Sequence, residues 1–207
     1  MLAVIIGRRR QGKSTLAYSL AMSHKRTVLI FDPNDQYGNV PAITVEALPE
    51  WMANSNPASL ARIVPIDPVA DWEAIAAELD GGAWRWGDYT LILDECSMLM
   101  STGRINPALE RYARTSPKDI SVILTTHRSV DVHTLFRALA SDWWIFHQHL
   151  DRDLETLTDN FGHDVAAESA RLPEYHVIHF WLDTGGVPRW VTWDKPRQWF
   201  ADIGRRT

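Results

Sequence analysis

The stretch Gly7-Arg8-Arg9-Arg10-Gln11-Gly12-Lys13-Ser14 decides the reading of this chain. It fits G-x-x-x-x-G-K-[ST], a glycine-rich loop whose backbone N–H groups converge on phosphates. The flanks supply the context that such a loop needs. Leu2 to Ile6 is an apolar run that reads as a buried strand entering the loop, and Ser14 to Met22 reads as a helix leaving it. The helix N-terminus adds positive potential where an anion would sit. We therefore expect Gly7, Arg8, Arg9, Arg10, Gln11, Gly12, Lys13, Ser14 and Thr15 to hold a nucleotide. Lys13 would reach the β- and γ-phosphates, and the Ser14 hydroxyl would bind Mg²⁺.

Outward from the loop, strands and helices alternate. Thr27–Phe31 is a second buried strand, ending at Asp32-Pro33-Asn34-Asp35. Residues 38–60, with Pro41, Pro49 and Pro57, read as irregular, and Arg62–Pro65 as a short strand. Ala70–Leu79 reads as a helix stopped by Gly81-Gly82. Tyr89–Leu93 and Ile120–Thr125 are apolar strands, with a helix over Pro107–Arg114 between them. Then follow a helix over Val132–Leu139, a strand over Trp143–Phe146, and helices over Leu154–Phe161 and Val165–Ala170. Tyr175–Leu182 and Pro188–Trp193, joined by Asp183-Thr184-Gly185-Gly186, read as a β-hairpin. Buried strands alternating with helices imply an α/β fold, a mostly parallel sheet with helices on both faces. Ligands of such sheets bind at the carboxyl ends of the strands.

Two further strand ends carry chemistry. Tyr89-Thr90-Leu91-Ile92-Leu93-Asp94-Glu95 is an apolar strand closed by an acidic pair. Asp94 would hold Mg²⁺ beside Ser14, and Glu95 would polarise a water for attack on the γ-phosphate. The Ile120–Thr125 strand runs into Thr126-His127-Arg128, where Thr126 and His127 are candidate sensors of the nucleotide. Arginines Arg111, Arg114, Arg128 and Arg137 surround that strand. One of them could answer the charge that develops on the γ-phosphate, Arg114 and Arg137 being the first choices. The strand end Phe31-Asp32-Pro33-Asn34-Asp35 lies beside the phosphate loop in such sheets, where Asp32 would either reach the nucleotide site or cap its own turn. His147 and His149 alternate along one strand face but lack a third ligand at a sensible spacing.

Composition narrows the classes. A chain of 207 residues is read as one domain. Its formal net charge of −5 argues against a generic nucleic-acid binder, although Arg8–Arg10, Lys25-Arg26 and the C-terminal Lys195, Arg197, Arg205 and Arg206 make local basic clusters. The single cysteine, Cys96, excludes an intramolecular disulfide and a multi-cysteine zinc site. No apolar run is long enough to span a bilayer. Arg8–Arg10 before Leu16–Met22 is not read as an export signal, because the apolar stretch is short and carries serines. The expected location is the cytoplasm. The crowd of tryptophans in the last third, Trp143-Trp144, Trp181, Trp190, Trp193 and Trp199, is read as core or interface packing before base stacking.

In order, GRRRQGKS, the FDPND strand end, LILDE, and ISVILTTHRSVDVHTLFRALASDWWIFHQ resemble the HerA/FtsK superfamily of DNA-pumping ATPases. In that superfamily the last element is a strand ending in Thr-Gln, then an arginine-bearing helix and another strand. Thr126 matches the threonine, His127 stands where the glutamine would be, and Arg137 falls on the helix. The compact length is similar to the genome-packaging ATPases of tailless, membrane-containing icosahedral viruses. Zot-type phage proteins are the second likeness, and they usually carry a membrane segment. The resemblance covers roughly residues 1–160, the hairpin and basic tail (about 172–207) lying beyond it. It implies a P-loop NTPase of the additional-strand, catalytic-glutamate (RecA-like) type that uses ATP and Mg²⁺. It also implies a homo-oligomeric ring, usually a hexamer, with nucleotide at subunit interfaces and double-stranded DNA in the channel. A portal or capsid-vertex protein would be a further partner, and the host cytoplasm or virion vertex the location. Arg114 would act on a neighbouring subunit's nucleotide.

Two other classes remain open at this point. A nucleoside or small-molecule kinase shares the P-loop and the size, although the thymidine-kinase type needs a cysteine-rich zinc lobe. A non-catalytic nucleotide-binding module would tolerate loss of Lys13, Ser14, Asp94 or Glu95, and all four are present.

Overall fold

In the computed structural model, the residues described are 1–24, 26–81, 89–101, 103–115, 120–182 and 187–194. Strand β1 (Leu2–Ile6) leads through the glycine-rich loop into helix α1 (Lys13–Ser23). Next come β2 (Thr27–Phe31), α2 (Leu48–Asn54), β3 (Leu60–Ile63), α3 (Pro68–Gly81) and β4 (Tyr89–Leu93). A two-stranded ribbon, β5 (Met100–Ser101) and β6 (Arg104–Ile105), precedes α4 (Pro107–Thr115). The chain continues with β7 (Ser121–Thr126), α5 (Thr134–Leu139), β8 (Asp142–Phe146), α6 (Asp151–Phe161) and α7 (His163–Ser169). It closes on β9 (Val177–Leu182) and β10 (Pro188–Trp193).

Eight strands form one sheet in the order β10-β9-β8-β1-β7-β4-β2-β3. From β8 to β3 every pairing is parallel, while β9 and β10 pair antiparallel. β7 lies between β1 and β4, so an additional strand separates the strand of the glycine-rich loop from the strand of the acidic pair. The fold is α/β, as the sequence pattern requires.

Alternation along the strands divides the core into two layers. Ala3 and Ile5 face α1 through Leu16, Ala17 and Leu20. Val4 and Ile6 belong to the opposite layer, with Trp72 and Ile75 of α3, Phe136 of α5 and Leu157 of α6. Among the described residues one helix thus covers the first face and the others cover the second. Strands buried on both sides need continuous apolar runs, and β2 and β4 are buried at every position.

Three local expectations change. Residues 38–60 are not wholly irregular, since α2 occupies Leu48–Asn54 with Pro49 in its first turn, where a missing N–H costs nothing. The short strand expected over 62–65 is β3 over 60–63, ending before Pro65. The β2 end was expected beside the phosphate loop, yet β7 and β4 separate β2 from β1. The hairpin turn at 183–186 and the basic tail from 195 lie outside the described residues, as do Lys25, Gly82 and the segment 116–119.

Candidate functional site: a phosphate loop facing an acidic strand end

The carboxyl ends of β1, β7, β4 and β2 converge on a cavity of about 560 Å³. Its floor is the loop between β1 and α1. Gly12 has φ 95°, a left-handed conformation that glycine adopts without strain. Gly7 is required for a different reason. A Cβ there would lie 2.5 Å from Phe146 Cβ on β8 and 2.8 Å from Gln11 Oε1. The buried Gln11 side chain ties the loop to itself, its Oε1 accepting from Arg8 N at 2.8 Å. Gly7 N donates to Thr126 O at 3.2 Å, which fastens the loop to β7.

Lys13 and Ser14 point into the cavity from the first turn of α1. Lys13 Nζ donates to Arg8 O at 3.1 Å and stands 3.0 Å from His127 Nδ1. Burial lowers the ammonium pKa below that of an ordinary lysine, against the pull of Glu95 and Asp94 and with help from Arg9. Ser14 Oγ lies 3.2 Å from Asp94 Oδ1 and 2.9 Å from Gln36 Oε1.

Asp94 is 2 % exposed. Burial raises its pKa, opposed by hydrogen bonds from Thr125 Oγ1 at 2.7 Å and from Ser14. The same Thr125 oxygen accepts from Glu95 N at 3.0 Å, so one hydroxyl fixes both acids. Glu95 has φ 50° and ψ 52°, left-handed for a residue with a side chain. Such strain persists only where the surroundings impose it, and it often marks working residues. The Glu95 carboxylate has partners of its own, distinct from those of Asp94. Its Oε2 lies 2.8 Å from His127 Nε2, and its Oε1 accepts from Ser97 Oγ at 2.5 Å. Burial alone would raise the Glu95 pKa. The bonds from His127 and Ser97, with the His127 and Lys13 charges, outweigh it and hold the carboxyl below its usual value.

In the neutral His127 ring the contacts select one tautomer: an ammonium cannot accept, so Nδ1 accepts from Lys13 and Nε2 donates to Glu95. Lys13, His127 and Glu95 form a continuous chain across the cavity. Arg9 Nε, 3.4 Å from His127 Nε2, lies beside this chain.

Of the two threonines, Thr125 addresses the acids and Thr126 does not. Thr126 Oγ1 is buried without a hydrogen-bond partner. Successive side chains of a strand face opposite ways, so only one of the pair can meet Asp94. The sequence reading named Thr126 and passed over Thr125, and the signal that would have separated them is the period of two.

Asp32 caps its own turn. Its carboxylate accepts from Gln36 N at 2.8 Å and Tyr37 N at 3.0 Å, and pairs with Arg62 at 3.2 Å. Arg62 also pairs with Asp35. The braced turn carries Asn34 and Gln36 back to the cavity wall, although β2 itself lies away from the loop. Neither residue stood out in the sequence, and Tyr175, a third wall residue, did not either.

The four arginines are engaged within the chain. Arg114 pairs with Glu110 one turn away at 2.9 Å and is exposed on α4. Arg111 pairs with Asp80, and Arg128 with Asp153. Arg137 donates to the carbonyls of Val132, Ser129 and Val130. His147 Nδ1 stands 3.1 Å from Leu172 O. Among the described residues no group of three or more His, Cys, Asp or Glu is placed to hold a metal ion. The oxygen pair Ser14–Asp94 still suits Mg²⁺, which takes few protein ligands and completes its shell with water and phosphate.

The strand order, the loop and the acidic strand end are now all placed, and comparison with solved structures agrees with them. This chain has the P-loop ATPase fold. The genome-packaging NTPase B204 of Sulfolobus turreted icosahedral virus 2, in complex with ATP-γS, is 17 % identical with a TM-score of 0.71, covering 91 % of this chain and 95 % of that one. B204, the DNA-packaging ATPase of Sulfolobus turreted icosahedral virus, is 20 % identical with a TM-score of 0.69 and the same coverage. The N-terminal domain of zonular occludens toxin from Neisseria meningitidis is 11 % identical with a TM-score of 0.50, covering 97 % and 96 %. No family model matches the sequence, and no curated protein matches it. Among the described residues no helix is long and apolar enough to cross a membrane.

Proposed function

We propose that this chain hydrolyses ATP to move double-stranded DNA, in the manner of a viral genome-packaging motor. The observation that carries the reading is the convergence of Lys13, Ser14, Asp94, Glu95 and His127 on one cavity at the strand ends. Packaging, rather than another use of ATP, is supported by the likeness to the B204 structures over nearly the whole of both chains.

In this reading the loop amides and Lys13 bind the phosphates, and Lys13 leaves His127 to do so. Ser14 and Asp94 hold Mg²⁺, whose bound charge offsets the negative charge of the phosphates. The Glu95 carboxylate, kept ionised by its partners, takes a proton from the attacking water. His127 holds Glu95 through Nε2 and, once Lys13 departs, presents Nδ1 to the cavity as the sensor of an occupied site. Thr126 acts through its carbonyl alone, which fastens the loop, because its hydroxyl faces away from the acids. The chain works in a ring, where Arg114 serves a neighbour's site. Its exposed position and a single surface partner support that choice over Arg137, whose guanidinium is held by three carbonyls. DNA is gripped by its phosphates, in a sequence-tolerant and salt-sensitive way.

Steady-state ATP hydrolysis with and without double-stranded DNA, at low and moderate salt and over a range of protein concentrations, tests this. Stimulation by DNA that grows with protein concentration and fades with salt is expected. Hydrolysis indifferent to DNA at every concentration would remove the motor and leave an ATPase of another kind.

A further inference from the structure

Tyr175 lies where the described chain gives no structural reason for an exposed aromatic. It sits in the turn between α7 and β9, 41 % exposed, with φ 63°. It is the only aromatic ring among the described residues that line the nucleotide cavity, apart from the imidazole of His127. The other walls are glycine, cations, carboxylates, hydroxyls and amides.

Its place along the sheet gives the ring a direction. Val177, two residues on, pairs with Phe146 at the end of β8, and Phe146 packs against Gly7. Tyr175 therefore stands on the β8 side of the phosphate loop. Asp94, Glu95, Thr125 and Gln36 stand on the other side, on β4, β7 and the turn after β2. A ligand that puts its terminal phosphate toward Glu95 and its phosphate chain over the loop must end near Tyr175.

The turn is braced so that the ring is presented. His176 N donates to Pro173 O at 3.2 Å, and His176 Nε2 pairs with Asp194 beyond β10 at 3.0 Å. The backbone bears the cost of a left-handed tyrosine, and the described contacts give the ring itself no hydrogen-bond partner.

Resting on the nucleotide reading above, we propose that Tyr175 is the platform on which the base of the bound nucleotide stacks, and that it makes the site tolerant of base identity. A ring offers a flat face, and every base has one. Side-chain amides, which read base edges and reject wrong bases by large factors, do not line its side of the cavity among the described residues. The side-chain amides, on Asn34 and Gln36, belong to the opposite end. The site thus holds a nucleoside triphosphate by its phosphates and the face of its base.

The test compares ATP-γS with inorganic tripolyphosphate, each with Mg²⁺, on the full chain by titration calorimetry. Tripolyphosphate carries the phosphates without the base. Tyr175→Ala, and Tyr175→Asn, which suits a left-handed backbone better, should weaken ATP-γS about tenfold. Tyr175→Phe should bind it within about twofold of the parent, and tripolyphosphate should bind all four proteins alike. GTP-γS should match ATP-γS within about tenfold in the parent. Undiminished ATP-γS binding by both ring-deleted variants would overturn the platform. Equal loss of both ligands would make Tyr175 a support of the loop instead. A parent that binds neither ligand would overturn the nucleotide reading itself, and the platform with it.

Discussion

The parallel strands and the antiparallel hairpin share one sheet but follow different rules. β1, β2, β4 and β7 are sealed on both faces, and each ends at a group that the site uses or braces. β10 is exposed or half-exposed throughout, and Trp190 on it is 42 % exposed. Parallel strands point all their carboxyl ends one way, so a site collects there. A hairpin returns on itself and offers only its entrance, where Tyr175 lies. The two regions should therefore respond oppositely to substitution, strongly at the parallel strand ends and weakly along β10.

The largest structural effect is expected where the loop meets β8. Gly7→Ala drives a methyl into Phe146 Cβ, which has no rotamer to escape through. It should destabilise the chain by about 3 kcal/mol in chemical denaturation. Gly103→Ala has open space around it and should stay within about 0.5 kcal/mol. Equal costs would show that the close approach of the loop to β8 carries no special weight.

Next is the hydroxyl that serves both acids. Thr125→Val strips Asp94 of its 2.7 Å donor and leaves Glu95 N unsatisfied. A loss of about 1.5 kcal/mol is expected. It should grow as pH rises through the Asp94 titration, because a buried carboxylate needs that donor only when ionised. A cost independent of pH would place Thr125 outside the acid network.

A smaller effect sharpens the role of the His127 bridge. His127→Gln removes the main partner that holds the Glu95 carboxyl low and leaves burial free to raise it. The sign follows directly. A depressed pKa keeps the base ionised to lower pH, so its loss should move the acid limb of the ATP turnover profile to higher pH. An unmoved limb would show that Glu95 is tuned by Ser97 and Lys13 alone. The smallest effect belongs to the hairpin. Trp190→Ser should change stability by no more than about 0.5 kcal/mol, and ATP turnover should be unaffected.

The contrast also explains what was legible in the sequence. Leu2–Ile6, Thr27–Phe31 and Tyr89–Leu93 could be read to the residue because burial on both faces demands an unbroken apolar run. The glycine-rich loop announced itself because its backbone fixes its spacing. Helix α2 was hidden by Pro49, a breaker in the middle of a helix but harmless in its first turn. Gln36 and Tyr175 were hidden more deeply. Each reaches the cavity through a turn braced by distant partners, Arg62 from β3 in one case and Asp194 after β10 in the other. No local pattern encodes such a brace. The division of labour between Thr125 and Thr126 lay between these extremes, since register against β4 decides it.

The claim beneath all of this is that Glu95 activates the water that cleaves ATP. Turnover and ATP-γS binding should be measured side by side, with Mg²⁺, for the parent chain and Glu95→Gln. The amide preserves shape and removes the base. Turnover should fall at least a hundredfold, while binding stays within a few fold. Near-parental turnover by Glu95→Gln, with binding intact, would contradict the account.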